Sequence, residues 1–227
     1  MRLIPSALSA LVLVACSSTP GGQPHDASVA GHEAMAARED SAAAVHASQY
    51  NPAAVPQKIP CGPGFTSGAC WKSVENPTTA HMVEAERHRK MAAEHRAASQ
   101  VLRDAEATAC AGLSDLDRDL SPFAHREDIL EVVPLHVTRG YPEGAIVTFR
   151  AAPGLTAPWL QRVVDCHLAR NAVLGHDAPE MQSCPLVPKG ITAIVMATDA
   201  GFKVAIRAND AASAQEVLKR AQALVGR

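Results

Sequence analysis

From residue 129 onward the apolar positions follow two alternating periods. The runs ILEVVPLHVT (129–138), AIVTFRA (145–151), ITAIVMAT (191–198) and FKVAIRA (202–208) read as strands, with Pro134 marking an edge or a bulge in the first. The turns RGYPEG and Asp199-Ala200-Gly201 join them into two hairpins. After each hairpin the period lengthens to that of a helix. In LTAPWLQRVVDCHLARNA, Leu160, Val163, Val164, His167 and Leu168 form one stripe, behind Thr156 as N-cap and Pro158 in the first turn. The last segment follows Asn209-Asp210 and carries Ala214, Val217, Leu218, Ala221, Leu224 and Val225 on one face. The order ββαββα predicts an α+β fold over residues 129–227. Its expected form is a two-layer sandwich of a four-stranded antiparallel sheet with two helices on one side.

A faint repeat supports that order. At an offset of 57 residues, GAIVTFRA from Gly144 aligns with GFKVAIRA from Gly201, and Leu160, Val164 and Leu168 align with Val217, Ala221 and Val225. The stripe places His167 in the core with one hydrogen bond. Its neighbour Cys166 points about 100° away, so the two do not form a catalytic pair.

Residues 78–128 open with a long helix over about 78–110, rich in Ala, Glu, Arg, Lys and Met, with Thr78 or Thr79 as N-cap and Gly112 as its stop. At 1.5 Å per residue it spans roughly 48 Å, longer than a small domain is wide. Part of it is expected to project or to pack on a partner helix. His81, His88 and His95 recur at intervals of seven and share one face, with Glu84 and Met91 between them. Such a row offers ligands to copper or zinc. Histidines seven apart sit ~10.5 Å apart along the axis, too far to share one ion, so further ligands must come from elsewhere. His125 joins them only if the chain folds back. The competing reading is a solvated face or a helix–helix seam. Asp115, Asp117 and Asp119 imitate the start of a calcium loop, but Leu120 stands where glycine is needed and Arg126 where glutamate is needed. An acidic, helix-capping turn is the expectation there.

Residues 16–60 are small and polar with no sustained period and read as a disordered tether of roughly 35–40 Å r.m.s. span, in which only the Ala-rich stretch near 30–45 has any helical character. Residues 61–77, CGPGFTSGACWKSVENP, read as a compact Cys/Gly-rich turn whose cysteine spacing fits neither a CxxC redox motif nor a zinc ribbon.

Residues 1–15 place Arg2 before a short apolar run that ends in Leu13-Val14-Ala15-Cys16, followed by Ser17-Ser18-Thr19. The run is shorter than the ~20 residues that span a bilayer, and the order is that of a secretory signal peptide. Leu13 to Cys16 resemble a bacterial lipobox. The resemblance implies cleavage before Cys16, diacylation of that cysteine, and attachment to a membrane through the lipid. The absence of Asp at position 17 implies the outer membrane, with the chain facing the periplasm or the cell surface.

Composition narrows the function. Net charge is −2 with 4 % aromatic residues, which excludes a basic, base-stacking nucleic-acid surface. With Cys16 reserved for lipid, five cysteines remain, an odd number. Short-range pairing suggests Cys61–Cys70 and Cys166–Cys184 with Cys110 unpaired; the other arrangement has Cys110 bridging the long helix to the C-terminal domain. No nucleophile elbow, phosphate loop or HExxH motif occurs. The expectation is a non-enzymatic, lipid-anchored envelope module that binds or assembles with an envelope protein along the long helix. The alternative is a copper- or zinc-binding lipoprotein using His81, Glu84, His88, Met91, His95 and His125.

Overall fold

The computed structural model describes residues 27–55, 58–60, 69–71, 76–136 and 140–225. The lipobox resemblance at Cys16 and the Cys61–Cys70 pairing lie outside the described residues, apart from the backbone of Cys70 in a short strand.

The elements are α1 (Val29–Gln49), β1 (Lys58–Pro60), β2 (Ala69–Trp71), α2 (Thr79–Ala109), α3 (Asp115–Asp119), β3 (Ile129–Leu135), β4 (Gly144–Arg150), α4 (Ala157–Val173), β5 (Ile191–Thr198), β6 (Gly201–Ala208) and α5 (Ala211–Val225). The C-terminal part is the expected α+β sandwich. Its antiparallel sheet has the order β3-β4-β6-β5. Thr156 caps α4 by accepting from the Trp159 N–H, and Asp210 caps α5 by accepting from the Ser213 N–H. Ala145, Val147, Phe149, Phe202, Val204 and Ile206 face inward and meet Leu160 and Val164 of α4 and Val217, Ala221 and Leu224 of α5 in one core. Val225, expected inward, is 45 % exposed: it is the last residue of α5, and its neighbour Leu224 takes the core-facing place in that turn.

Each helix covers the hairpin it does not follow: α4 packs on β5, and α5 packs mainly on β3 and β4. The two halves are therefore interlocked. The central ladder shows the same relation. Val147 pairs with Val204, its counterpart at the offset of 57, and the ladder runs symmetrically from Gly144↔Arg207 to Arg150↔Gly201. The matched glycines do matched work. A Cβ on Gly144 would lie 1.9 Å from the Ile206 carbonyl oxygen, and one on Gly201 would lie 2.2 Å from the Phe149 carbonyl oxygen. Both glycines have positive φ, so each is required twice over. The faint sequence repeat is thus a local two-fold relation between hairpins.

The two edges of the sheet are treated differently. β3 carries a register shift between Ile129 and Glu131 as well as Pro134. β5 is straight, apolar and uncharged, the kind of edge that invites pairing. Gln161 of α4 occupies it like a strand partner: its amide oxygen accepts from the Val195 N–H at 2.7 Å and its nitrogen donates to the Ala193 carbonyl at 3.1 Å.

The N-terminal part departs from expectation. Twenty-one residues of the expected tether form α1, capped by Ser28, which accepts from the Gly31 N–H. α1 lies along α2 as an antiparallel helical hairpin. The far end is clasped by Thr78, expected as a simple N-cap. Its hydroxyl instead accepts from the Asn51 N–H and donates to Asn76 Oδ1. At the near end, Ser28 abuts Gly175, where a side chain would collide at 2.9 Å. The long helix does find a partner helix, and it belongs to the same chain.

The cysteine pairing overturns the short-range choice and follows the other arrangement, with Cys110 bridging the long helix to the C-terminal domain. Cys110, at the C-cap of α2, is bridged to Cys166 of α4 with a Cα–Cα distance of 4.6 Å. Among the described residues, Cys184 is the free, buried thiol. The proposed Cys166–Cys184 pair fails because Cys166 faces the end of α2, whereas Cys184 sits in the core cluster below α4. Arg170 reinforces the junction, approaching Glu106 of α2 at 3.7 Å and Asp119 of α3 at 2.7 Å.

Candidate functional site: the histidine seam

The α1–α2 seam is built on a seven-residue repeat in both helices. In α1 the inward positions are His32, Ala36, Glu39, Ala43 and His46; in α2 they are His81, Ala85, His88, Ala92, His95, Ser99 and Leu102. This is the spacing of an antiparallel coiled coil, with alternate layers reassigned. Ala36, Ala43, Ala85 and Ala92 are at most 3 % exposed and let the backbones approach closely. The layers between them are polar.

Three such layers follow in order. His32 Nδ1 lies 3.2 Å from His95 Nδ1. Glu39 Oε2 lies 2.6 Å from His88 Nδ1, which donates to it. His46 Nδ1 lies 3.4 Å from His81 Nδ1, and the His46 ring stacks on His88 at 5.4 Å between centroids, 14° from parallel. The rings of all three α2 histidines therefore turn toward α1, as the seam reading anticipates. Outside the seam, Arg96 pairs with Asp40 and Arg103 with Glu33, half-exposed contacts worth at most about 1 kcal/mol each.

The other members of the predicted row go elsewhere. Glu84 pairs with Arg87 at 2.7 Å, and that guanidinium holds its carboxyl below the usual range. Met91 Sδ accepts from the same arginine at 3.5 Å, and Arg87 also reaches His88 Nε2 at 3.2 Å. His125 sits beyond α3 with its Nδ1 3.2 Å from Glu127. Among the described residues, no three His, Cys, Asp or Glu side chains converge as a metal group. The row does not close into one site. His32, Glu39 and His46 are the residues sequence reasoning missed, and their own spacing of seven was the available signal.

The α+β domain adds quieter features. His167 is 2 % exposed, and burial lowers its pKa from 6.5, against the pull of the Asp117 and Leu120 backbone carbonyls. Its Nε2 makes no hydrogen bond among the described residues. The buried Cys184 thiol is pushed up by desolvation, with Ser121 donating to it at 3.6 Å. His176 donates from Nδ1 to the Val187 carbonyl at 2.9 Å and so serves the loop's structure. A cleft of about 380 Å³ opens between α3, α4 and the end of β4, walled by Leu116, Leu120, Phe149, Leu155 and Trp159, with His125 and the Asp128–Arg150 pair at its lining. The acidic run behaves as a capped turn: Ser114 accepts from the Asp117 N–H to begin α3.

No helix among the described residues is long and apolar enough to cross a membrane. No protein-family model, characterised protein or solved structure matches the chain.

Proposed function

We propose that this chain is a lipid-anchored, non-enzymatic binding and assembly module of the bacterial envelope, held through Cys16 and favouring the outer membrane. The observation that carries the reading is the Cys110–Cys166 bridge. Such bonds form and persist in oxidising compartments, and an exported lipoprotein would fold in one. The bridge joins the end of the helical hairpin to the α+β domain, beside the Arg170–Glu106 ion pair and the Ser28–Gly175 contact, so the hairpin is held at its base. The signal-like residues 1–15 and the lipobox-like Leu13 to Cys16 supply the address.

The test is metabolic labelling of the full chain with an alkynyl fatty acid in a Gram-negative host. The expected result is label on the wild type, co-sedimentation with outer membranes, and loss of both in Cys16→Ala. An unlabelled wild type, or label retained in the variant, would overturn the anchor.

A further inference from the structure

We propose that the seam binds divalent copper or zinc at two bis-histidine sites, His32 with His95 and His46 with His81. This differs from the single row along α2, because each site takes one ligand from each helix, and it is independent of how the chain is anchored. The geometry suits an ion. Two nitrogens bound at 2.0–2.1 Å to a tetrahedral zinc ion lie about 3.3–3.4 Å apart, and around square-planar copper cis nitrogens draw in to about 2.9 Å. The Nδ1 pairs here are 3.2 and 3.4 Å apart. Hydrogen-bond distances run from about 2.7 to 3.2 Å, so without an ion the His32–His95 pair meets as a direct hydrogen bond and the His46–His81 pair as a longer one. The middle layer provides the contrast. There the carboxylate of Glu39 holds the His88 N–H at 2.6 Å, an ordinary charge-assisted hydrogen bond with no room for an ion.

Chemistry agrees with distance. Neutral imidazole nitrogens suit zinc and copper, and Nδ1 is an established ligand atom. His32, His46, His81 and His95 are each partly exposed, so water can reach both sites and add to the coordination shell. The stacked Glu39–His88 layer lies between the sites and steadies the His46 ring. A bound ion would tie α1 to α2 across a seam that otherwise rests on alanine packing and a few polar pairs. Binding and hairpin order are therefore coupled.

The experiment uses the mature full chain, metal-free and reduced only at accessible thiols, titrated with Zn2+ by calorimetry and with Cu2+ by electron paramagnetic resonance. Two equivalents are expected with dissociation constants of about 10 μM or tighter, together with nitrogen hyperfine structure from two imidazoles per copper. His32→Gln and His46→Gln should each remove one equivalent, the pair should remove both, and His88→Gln should keep two. Each variant's helicity is checked by circular dichroism. If the glutamine variants lose the hairpin, the hyperfine pattern of the wild type decides alone. Absence of binding below about 100 μM, copper without two-imidazole hyperfine structure, or unchanged stoichiometry in a folded double variant would overturn the sites.

Discussion

The helical hairpin and the α+β domain are both held by buried faces, but the faces differ in kind. The domain closes over Phe149, Val147, Val204, Ile206, Leu160 and Val217, residues that each contribute roughly 1.5–3 kcal/mol on burial. The hairpin closes over alanines that bury little area and over histidines that must find polar partners. One region is stable by hydrophobic burial. The other depends on short-range polar matching in layers and on its attachment at the base. A seam of that kind gives up hydrophobic stability and leaves a set of directed nitrogen atoms between the helices.

Because attachment matters that much, the largest effect is expected at the bridge. Replacing Cys110 and Cys166 together by serine removes a closure across 56 residues and should cost about 4 kcal/mol in chain entropy alone. Urea unfolding followed by helicity should then resolve two transitions, with the hairpin lost first. A single transition at an unchanged midpoint would mean that the two regions are not mechanically distinct. Next comes a direct exchange between the two kinds of core. Ile206→Ala should cost about 3 kcal/mol by leaving a cavity in the sheet layer. Ala92→Leu, which enlarges the side chain, should cost about 2 kcal/mol by wedging the helices apart. Equilibrium denaturation compares them. If Ala92→Leu stabilises the chain, the close approach of the helices is not what the alanines are for.

The smallest effect concerns pH and lies in the domain. His167 has its pKa lowered by burial, so the unfolded chain takes up its proton first as acid is added. Its contribution is fully present above pH 6.5, the ordinary value, and is lost as pH falls toward the lower value in the fold. The denaturation midpoint should drop between pH 7.5 and 5.5, and His167→Gln should flatten that dependence. A midpoint that falls equally in the variant would move the acid sensitivity elsewhere.

Much of the domain was legible because local pattern and global packing agree there. Thr156 caps α4, Asp210 caps α5, and β4, β5 and β6 lie within one residue of their expected limits, while β3 ends at Leu135. The hairpin was half legible. The histidine spacing in α2 marked a face, but α1 escaped because its inward positions are alanine, histidine and glutamate. A search for apolar periodicity does not register those residues as a stripe. Gln161 on the β5 edge had no signature at all, since any exposed helical glutamine looks alike in sequence.

Sequence alone determined the element order from residue 129 onward, the ββαββα sandwich, the helix that bears His81, His88 and His95, and the odd cysteine count. These follow from propensity, period and counting, which act over a few residues at a time. Only the tertiary structure decided which helix faces those histidines, that His32 and His46 answer His95 and His81, and that Cys110 takes Cys166 and leaves Cys184 buried. Each of those outcomes joins residues at least 35 positions apart. At such separations the partner is chosen by how whole elements pack, because closing a long loop costs little more for one partner than for another.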